Sequence, residues 1–299
     1  MVNYLQTVLK EHNFPLFMID EVLSCYRSIV ENEQTKGIFD EILLAYREDM
    51  LCDATPLDEK NTAIAQVLNA HLFTVRLVSL LCLMKDMVGR FQENNVGEEV
   101  IYQTVEDAYA KALDTYDTYK VVGVCYWDWF FGFLRMTRFG LGRLQFELAK
   151  FRLPRYKKNG KLLTEASTVI NVHIPRLPMP FTPENCEKAY QLAKQFFGGH
   201  FEGDGIPFVC WSWLLYPRNK DILPETSNVV KFLSRYDIIE MEEYTEAYNP
   251  VSHILFNREK MGDIATLPKD TSMRRRYAEF LQQGGKTGWG YGVFFLDKE

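Results

Sequence analysis

The sequence predicts an α/β (α+β) protein, with a helical N-terminal region packed on a mixed β-sheet that is flanked by helices. Three observations carry this expectation. Apolar residues recur at three- and four-residue spacing through the first part of the chain, to about residue 136. Three apolar segments with a two-residue alternation follow, at Gly142–Leu153, Thr168–Pro175 and Phe208–Leu215. Between and after them the helical spacing returns, so strands and helices interleave toward the C-terminus.

In the first part, helices are expected over Asp20–Val30, Gly37–Met50, Ile64–Phe91 and Glu98–Lys120. The last has a stripe of Val100, Thr104 with Val105, Ala108, Ala112 and Tyr116, and acids Glu98 and Glu99 near the positive end of its dipole. Val121–Phe139 is dense in rings (Tyr126, Trp127, Trp129, Phe130, Phe131, Phe133) and reads as core between two domains rather than a ligand box. The expected division is 1–138 and 139–299.

The first strand alternates Leu144, Phe146 and Leu148 with Arg143, Gln145 and Glu147. One face is therefore apolar and the other carries groups that must be solvated, paired or used. The second strand sets Asn171 and His173, and the third Cys210 and Ser212, at the same two-residue spacing. Polar side chains on three strands suggest a cleft. Pro183–Phe197 reads as a helix because Thr182 is a good N-cap and proline suits the first turn. Further helices are expected at Glu225–Tyr236 and Ser272–Gln282, and strands at Ser252–Phe256 and Tyr291–Leu296. Residues 155–160, 198–205 and 284–292 read as exposed connections.

Composition narrows the function. The chain has 299 residues and a net charge of −6, with no long basic run, so a nucleic-acid footprint is missing. Arg274–Arg276 reads as a solvated face. Six cysteines lie far apart, without a Cys-x-x-Cys pair or a histidine at ligand spacing. No metal site and no disulfide framework is expected, which fits a reducing, cytoplasmic setting. The N-terminal residues lack a basic stretch followed by an apolar core, and the apolar run Leu77–Met84 is too short to span a bilayer. No membrane partner is expected.

Gly284-Gly285-Lys286-Thr287 resembles part of a phosphate loop but follows a helix and precedes a strand, the reverse of what that loop requires; it reads as a turn. No Gly-x-Gly-x-x-Gly opens a helix. Cys210 with His173 is a nucleophile–base candidate, set against an inert core cysteine. Glu147 is a general-base candidate, set against an ion pair with a neighbouring arginine across the sheet.

Five segments occur together in order: Val96-Gly97-Glu98-Glu99-Val100, Trp127, Leu141-Gly142-Arg143-Leu144-Gln145-Phe146-Glu147, Asn171-Val172-His173-Ile174-Pro175 and Ser212-Trp213-Leu214-Leu215. With them the chain resembles, over roughly residues 60–295, a family of bacterial, mostly Firmicutes, acyltransferase-domain proteins. In that family a helical N-terminal region precedes a GNAT-like C-terminal domain. The resemblance implies an acyl-CoA-dependent N-acyltransferase, with acyl-CoA as cosubstrate, no metal, and a small-molecule amine as acceptor. Thr168–Pro175 and Phe208–Leu215 would be two parallel strands that splay around the thioester. Glu147 or His173 would take the amine's proton, and Tyr236 would protonate the leaving thiolate. Asn171, Ile174, Arg176 and Asn228 would contact the coenzyme; Arg143, Gln145, Cys210 and Ser212 would face the acceptor.

One segment departs from the family's pattern. The expected glycine-bearing pyrophosphate loop is here Arg176-Leu177-Pro178-Met179-Pro180-Phe181-Thr182-Pro183-Glu184. Three prolines remove N–H donors, and Glu184 puts a negative charge at the helix start. The alternative function is therefore a GNAT-fold binding protein without catalysis.

Overall fold

The computed structural model describes residues 1–203, 205–245 and 248–297. The chain divides into two compact units, residues 1–140 with 175–177, and residues 141–174 with 178–299.

The first unit contains α1 (Val2–Glu11), α2 (Leu16–Glu31), α3 (Glu33–Glu48), α4 (Ala54–Leu68), α5 (Leu72–Glu93), α6 (Glu98–Tyr119) and the short α7 (Phe131–Leu134). Strand β1 (Arg138–Leu141) lies where the two units meet in sequence. Helix α5 is buried along much of its length, with Val75, Leu77, Val78, Leu80, Leu81 and Leu83 at 0–1% exposure. The expected single helix Ile64–Phe91 is two helices. Asn69 takes a left-handed conformation (φ 50°) and stops α4, and His71 Nδ1 accepts from Phe73 N at 3.1 Å to start α5. The buried rings of the aromatic run belong to this unit's core. Trp127 Nε1 donates to Ala54 O (3.0 Å), and Tyr46 donates to Leu134 O (2.8 Å).

The second unit contains β2 (Leu144–Lys150), β3 (Arg155–Lys158), β4 (Lys161–Thr164), β5 (Thr168–His173), α8 (Pro183–Phe197), β6 (Gly205–Ser212), α9 (Asn219–Ile222), α10 (Asn228–Arg235), β7 (Asp237–Glu243), α11 (Val251–Ile254), α12 (Ser272–Gln282) and β8 (Gly288–Asp297). Its sheet runs β2-β5-β6-β8-β7. Only β5 and β6 are parallel within it; the other neighbours are antiparallel, so the sheet is mixed as expected.

Helices α8 and α10 cover one face. Tyr190 of α8 packs on Phe146 (6.1 Å), Phe208 (5.4 Å) and Phe294 (4.9 Å). The other face carries Val169, Val209, Tyr291 and Val293, clustered with Phe151 and Leu163. The β3–β4 hairpin crosses it, and Tyr156 donates to Asp237 Oδ2 at 3.0 Å. Residues 155–160, expected as a loop, are the first strand and turn of this hairpin. Its signal is the Asn159-Gly160 pair, both at positive φ (50° and 76°), a two-residue turn that matches strand twist.

Three other expectations change. Ser252–Phe256 is not a strand: Asn249 Oδ1 accepts from Val251 N (3.2 Å) and starts the short helix α11. β7 is an edge strand unforeseen in the sequence, charged by Asp237, Glu240, Glu242 and Glu243 in the manner that blunts exposed edges. β8 begins at Gly288, inside the expected glycine-rich connection, because alternate residues there serve opposite faces. A Cβ on Gly290 would lie 2.2 Å from Leu215 O, whereas Trp289 and Tyr291 join the opposite cluster.

Candidate active site

The β2–β5 register sets Gln145 opposite His173 and Glu147 opposite Asn171. The period of two then puts Gln145, Glu147, Asn171 and His173 on the hairpin face. His173 Nε2 lies 2.7 Å from Glu147 Oε1. Asn171 Nδ2 donates to the same oxygen at 3.0 Å and lies 3.2 Å from His173 Nε2. The Glu147 and His173 side chains are each 18% exposed, sheltered yet reachable.

With Glu147 ionised, hydrogen-bond logic assigns the protons. A carboxylate only accepts, so both Asn171 Nδ2 and His173 Nε2 donate to Glu147 Oε1. His173, when neutral, then carries its proton on Nε2, and Nδ1 is the basic nitrogen of the ring. Glu147 thereby holds the imidazole ring of His173 in place.

The dyad stands where the pairing of β5 with β6 ends, a candidate opening in the sheet. The parallel ladder consists of Ile170↔Phe208 and Asn171↔Val209 and ends there, although β5 continues to His173 and β6 to Ser212. His173 and Ile174 lie beyond that last rung on one side, and Trp211 and Ser212 on the other.

The other expected site residues are dispersed. Tyr236 is on the helix face: burial raises its hydroxyl well above 10, and its oxygen lies 2.8 Å from that of Tyr190. It packs on Phe294 at 5.0 Å, and Phe294 pairs with Phe208, on the closed side of the Asn171↔Val209 rung. A Cβ on Gly292, which pairs with Cys210 one residue past that rung, would lie 2.8 Å from Tyr236 Cβ. Cys210 also points to the helix face, is fully buried, and has its thiol pushed up by desolvation, which argues against the covalent reading. Ser212 Oγ accepts from Leu214 N (3.1 Å) and caps the 213–215 turn.

Arg176 is held by Asp114 (3.1 Å) and Asp117 (2.7 Å), carboxylates that occupy it in place of a phosphate. Arg143 is buried, with its guanidinium 5.1 Å from the Phe181 ring. Asn228, the first residue of α10, lines a small cavity of about 70 Å³ between α8 and α10 with Pro183, Tyr190 and Lys231. The start of α8 is closed by its own residues. Thr182 Oγ1 accepts from Asn185 N (3.3 Å), and Cys186 N donates to Thr182 O (2.9 Å). The Glu184 carboxyl is lowered first by its own backbone N–H and then by the Thr182 hydroxyl.

Sequence reasoning missed an aromatic group on the dyad's face. The Arg152 guanidinium lies over Tyr291 (4.7 Å), Trp289 (5.1 Å) and Trp211 (5.3 Å), and it pairs with Glu240. Its signal was the alternation Val209-Cys210-Trp211, which sends Trp211 to the face opposite Cys210.

Among the described residues no group of His, Cys, Asp and Glu could hold a metal ion, and no helix is long and apolar enough to cross a membrane. A comparison with curated proteins finds no match. Solved structures do match. One is an acyltransferase in complex with decanoyl-CoA and teicoplanin: TM-score 0.73 and 16% identity, covering 97% of this chain and 87% of that one. Another holds CoA and 10C-teicoplanin: TM-score 0.72 and 16% identity, covering 96% and 86%. At that identity the likeness establishes the fold. Two family models match the sequence: an N-acyltransferase N-terminal domain at residues 3–136, and a GNAT-like C-terminal domain at residues 139–294. The second alone spans just over half of the 299 residues, and the chain belongs to this family of N-acyltransferases with a GNAT-like C-terminal domain.

Proposed function

We propose that the protein is an acyl-CoA-dependent N-acyltransferase that moves an acyl group directly to a small-molecule amine, with His173 as base and Glu147 as the group that orients it. The carrying observation is the 2.7 Å contact of His173 with Glu147 beside the point where β5 and β6 part. The thioester enters that opening, where main-chain N–H groups past the last rung are placed to polarise its carbonyl. The amine nitrogen attacks the carbonyl carbon and its proton passes to His173 Nδ1. The C–S bond then breaks, and the proton goes on to the departing thiolate, directly or through water. The products are an amide and free coenzyme A. Asn171 keeps the carboxylate in register, and Gln145 lines the same face.

The structures of similar fold contain decanoyl-CoA, octanoyl-CoA and CoA, which supports acyl-CoA as donor. The closed N-terminus of α8 is the observation that favours a binding protein without catalysis. The intact dyad beside a parted strand pair outweighs it, and the diphosphate is instead held in an altered pose near Asn228 and Lys231. A Firmicutes-type bacterial source and a cytoplasmic location belong to the same reading; the six free cysteines support the latter.

Isothermal titration of the protein with CoA, acetyl-CoA and decanoyl-CoA tests the donor. Micromolar binding that survives Arg176→Ala and weakens in Lys231→Ala supports this pose. Absence of binding to all three overturns donor use.

A further inference from the structure

We infer that Trp211 is the acceptor platform of the site, and that the acceptor carries its amine on or next to a ring with an apolar face. The inference rests on the acyl-transfer reading and names its substrate class. Trp211 lies two residues beyond Val209, as His173 lies two beyond Asn171, on the same face and past the rung where the strands part. It is 57% exposed, although an indole left in water forfeits much burial free energy.

The exposed ring is nonetheless held firmly. Its neighbour Trp289, 8% exposed, meets it in a T-shaped contact at 5.3 Å, and Arg152 stacks over it. Arg152 is itself fixed by Glu240 and by the rings of Tyr291 and Trp289. Burial raises the Tyr291 hydroxyl to about 12, and the neighbouring Arg152 offsets part of that rise. β8 makes this possible by placing glycines 288, 290 and 292 toward the covered side and its two large rings toward Arg152.

An indole with one side braced by a guanidinium and more than half its surface in solvent is a pre-organised stacking surface. The cost of ordering it has been met before a ligand arrives. A ring laid on it would bring an attached amine toward His173. An alkyl chain would gain little, since it offers no flat face to complement the indole.

Kinetics on the full chain test this, with release of free coenzyme A thiol from decanoyl-CoA as the signal. Three amines serve as probes: 2-phenylethylamine, an aminopyranose and n-hexylamine. Wild type is expected to favour a ring-bearing amine over hexylamine by about tenfold in kcat/KM, the scale of one good stacking contact. The first two probes distinguish an aromatic from a sugar face. Trp211→Ala is expected to abolish the preference through KM, while Trp211→Phe retains most of it. Equal use of all three amines, or a preference that persists in Trp211→Ala, overturns the inference.

Tryptophan fluorescence supplies a readout that needs no turnover. Quenching by the preferred ring amine, absent with hexylamine and lost in Trp211→Phe, supports the platform. If that quenching occurs with no thiol release from any donor, the platform stands and the acyl-transfer reading fails. Quenching alike by ring and chain amines counts against the platform.

Discussion

Glu147 and His173 meet across an antiparallel ladder, Oε1 to Nε2 at 2.7 Å, although 26 positions separate them in the chain. Asn171, directly opposite Glu147, donates to the same oxygen. The three polar atoms form a triangle whose geometry is set by strand register, so its precision comes from the backbone. Asn171→Leu removes one corner of it, and with it two of the three contacts, without disturbing the strand. Turnover is expected to fall roughly ten- to a hundredfold, with donor affinity unchanged, the cost of a base displaced by a fraction of an ångström. Steady-state kinetics beside donor titration reads this directly.

Cys210 faces the helix side with no exposed surface, and its thiol is held protonated by desolvation. Cys210→Ser places a hydroxyl in an apolar site and is expected to cost about 1–3 kcal/mol of stability. Activity per folded molecule is expected to stay the same. Intact-mass spectra of wild type with acyl-CoA should show no acyl adduct; an adduct on Cys210 would restore the covalent route.

The two tyrosine hydroxyls at 190 and 236 are buried against each other at 2.8 Å. Tyr236→Phe leaves the Tyr190 hydroxyl without that partner, at an expected cost of about 1–2 kcal/mol, while turnover is kept. The double change Tyr190→Phe with Tyr236→Phe is expected to be less destabilising than the sum of the singles. Urea unfolding of the four proteins gives the coupling. A large loss of turnover in Tyr236→Phe with donor binding retained would return Tyr236 to the chemistry.

His12 is buried, stacked on Tyr102 at 4.5 Å, and lowered by desolvation from 6.5 to about 4. Between those values the unfolded chain binds a proton that the folded chain refuses. Its contribution is therefore complete above pH 6.5 and lost as pH falls toward 4, by up to about 3 kcal/mol. His12→Phe keeps the stack and should flatten that limb. Denaturant midpoints at pH 7.5 and 5 check it, and an unchanged difference between the two pH values would rule His12 out as the cause.

Much of this was legible from spacing alone. Two helices, Pro183–Phe197 and Ser272–Gln282, coincide with their expected limits because Thr182 and Thr271 cap them locally. Glu147, Asn171 and His173 could be named as candidates because each sits on a strand's polar face. Their meeting could not be read, since it needs the register that joins β2 to β5. Arg176 and Tyr236 were placed by resemblance, and side-chain partners distant in sequence, Asp114 with Asp117 and Tyr190, decide where they point. Trp211 was hidden by its neighbours: Cys210 and Ser212 drew attention to the other face of the same strand.

The most direct test of the dyad is single-turnover acyl transfer from decanoyl-CoA, comparing wild type with Glu147→Gln and His173→Gln. Donor affinity is measured in parallel by titration. Both variants are expected to bind donor as wild type does and to form amide product 10²- to 10⁴-fold more slowly, the usual worth of a positioned general base. Product formation within threefold of wild type in either variant would contradict the account.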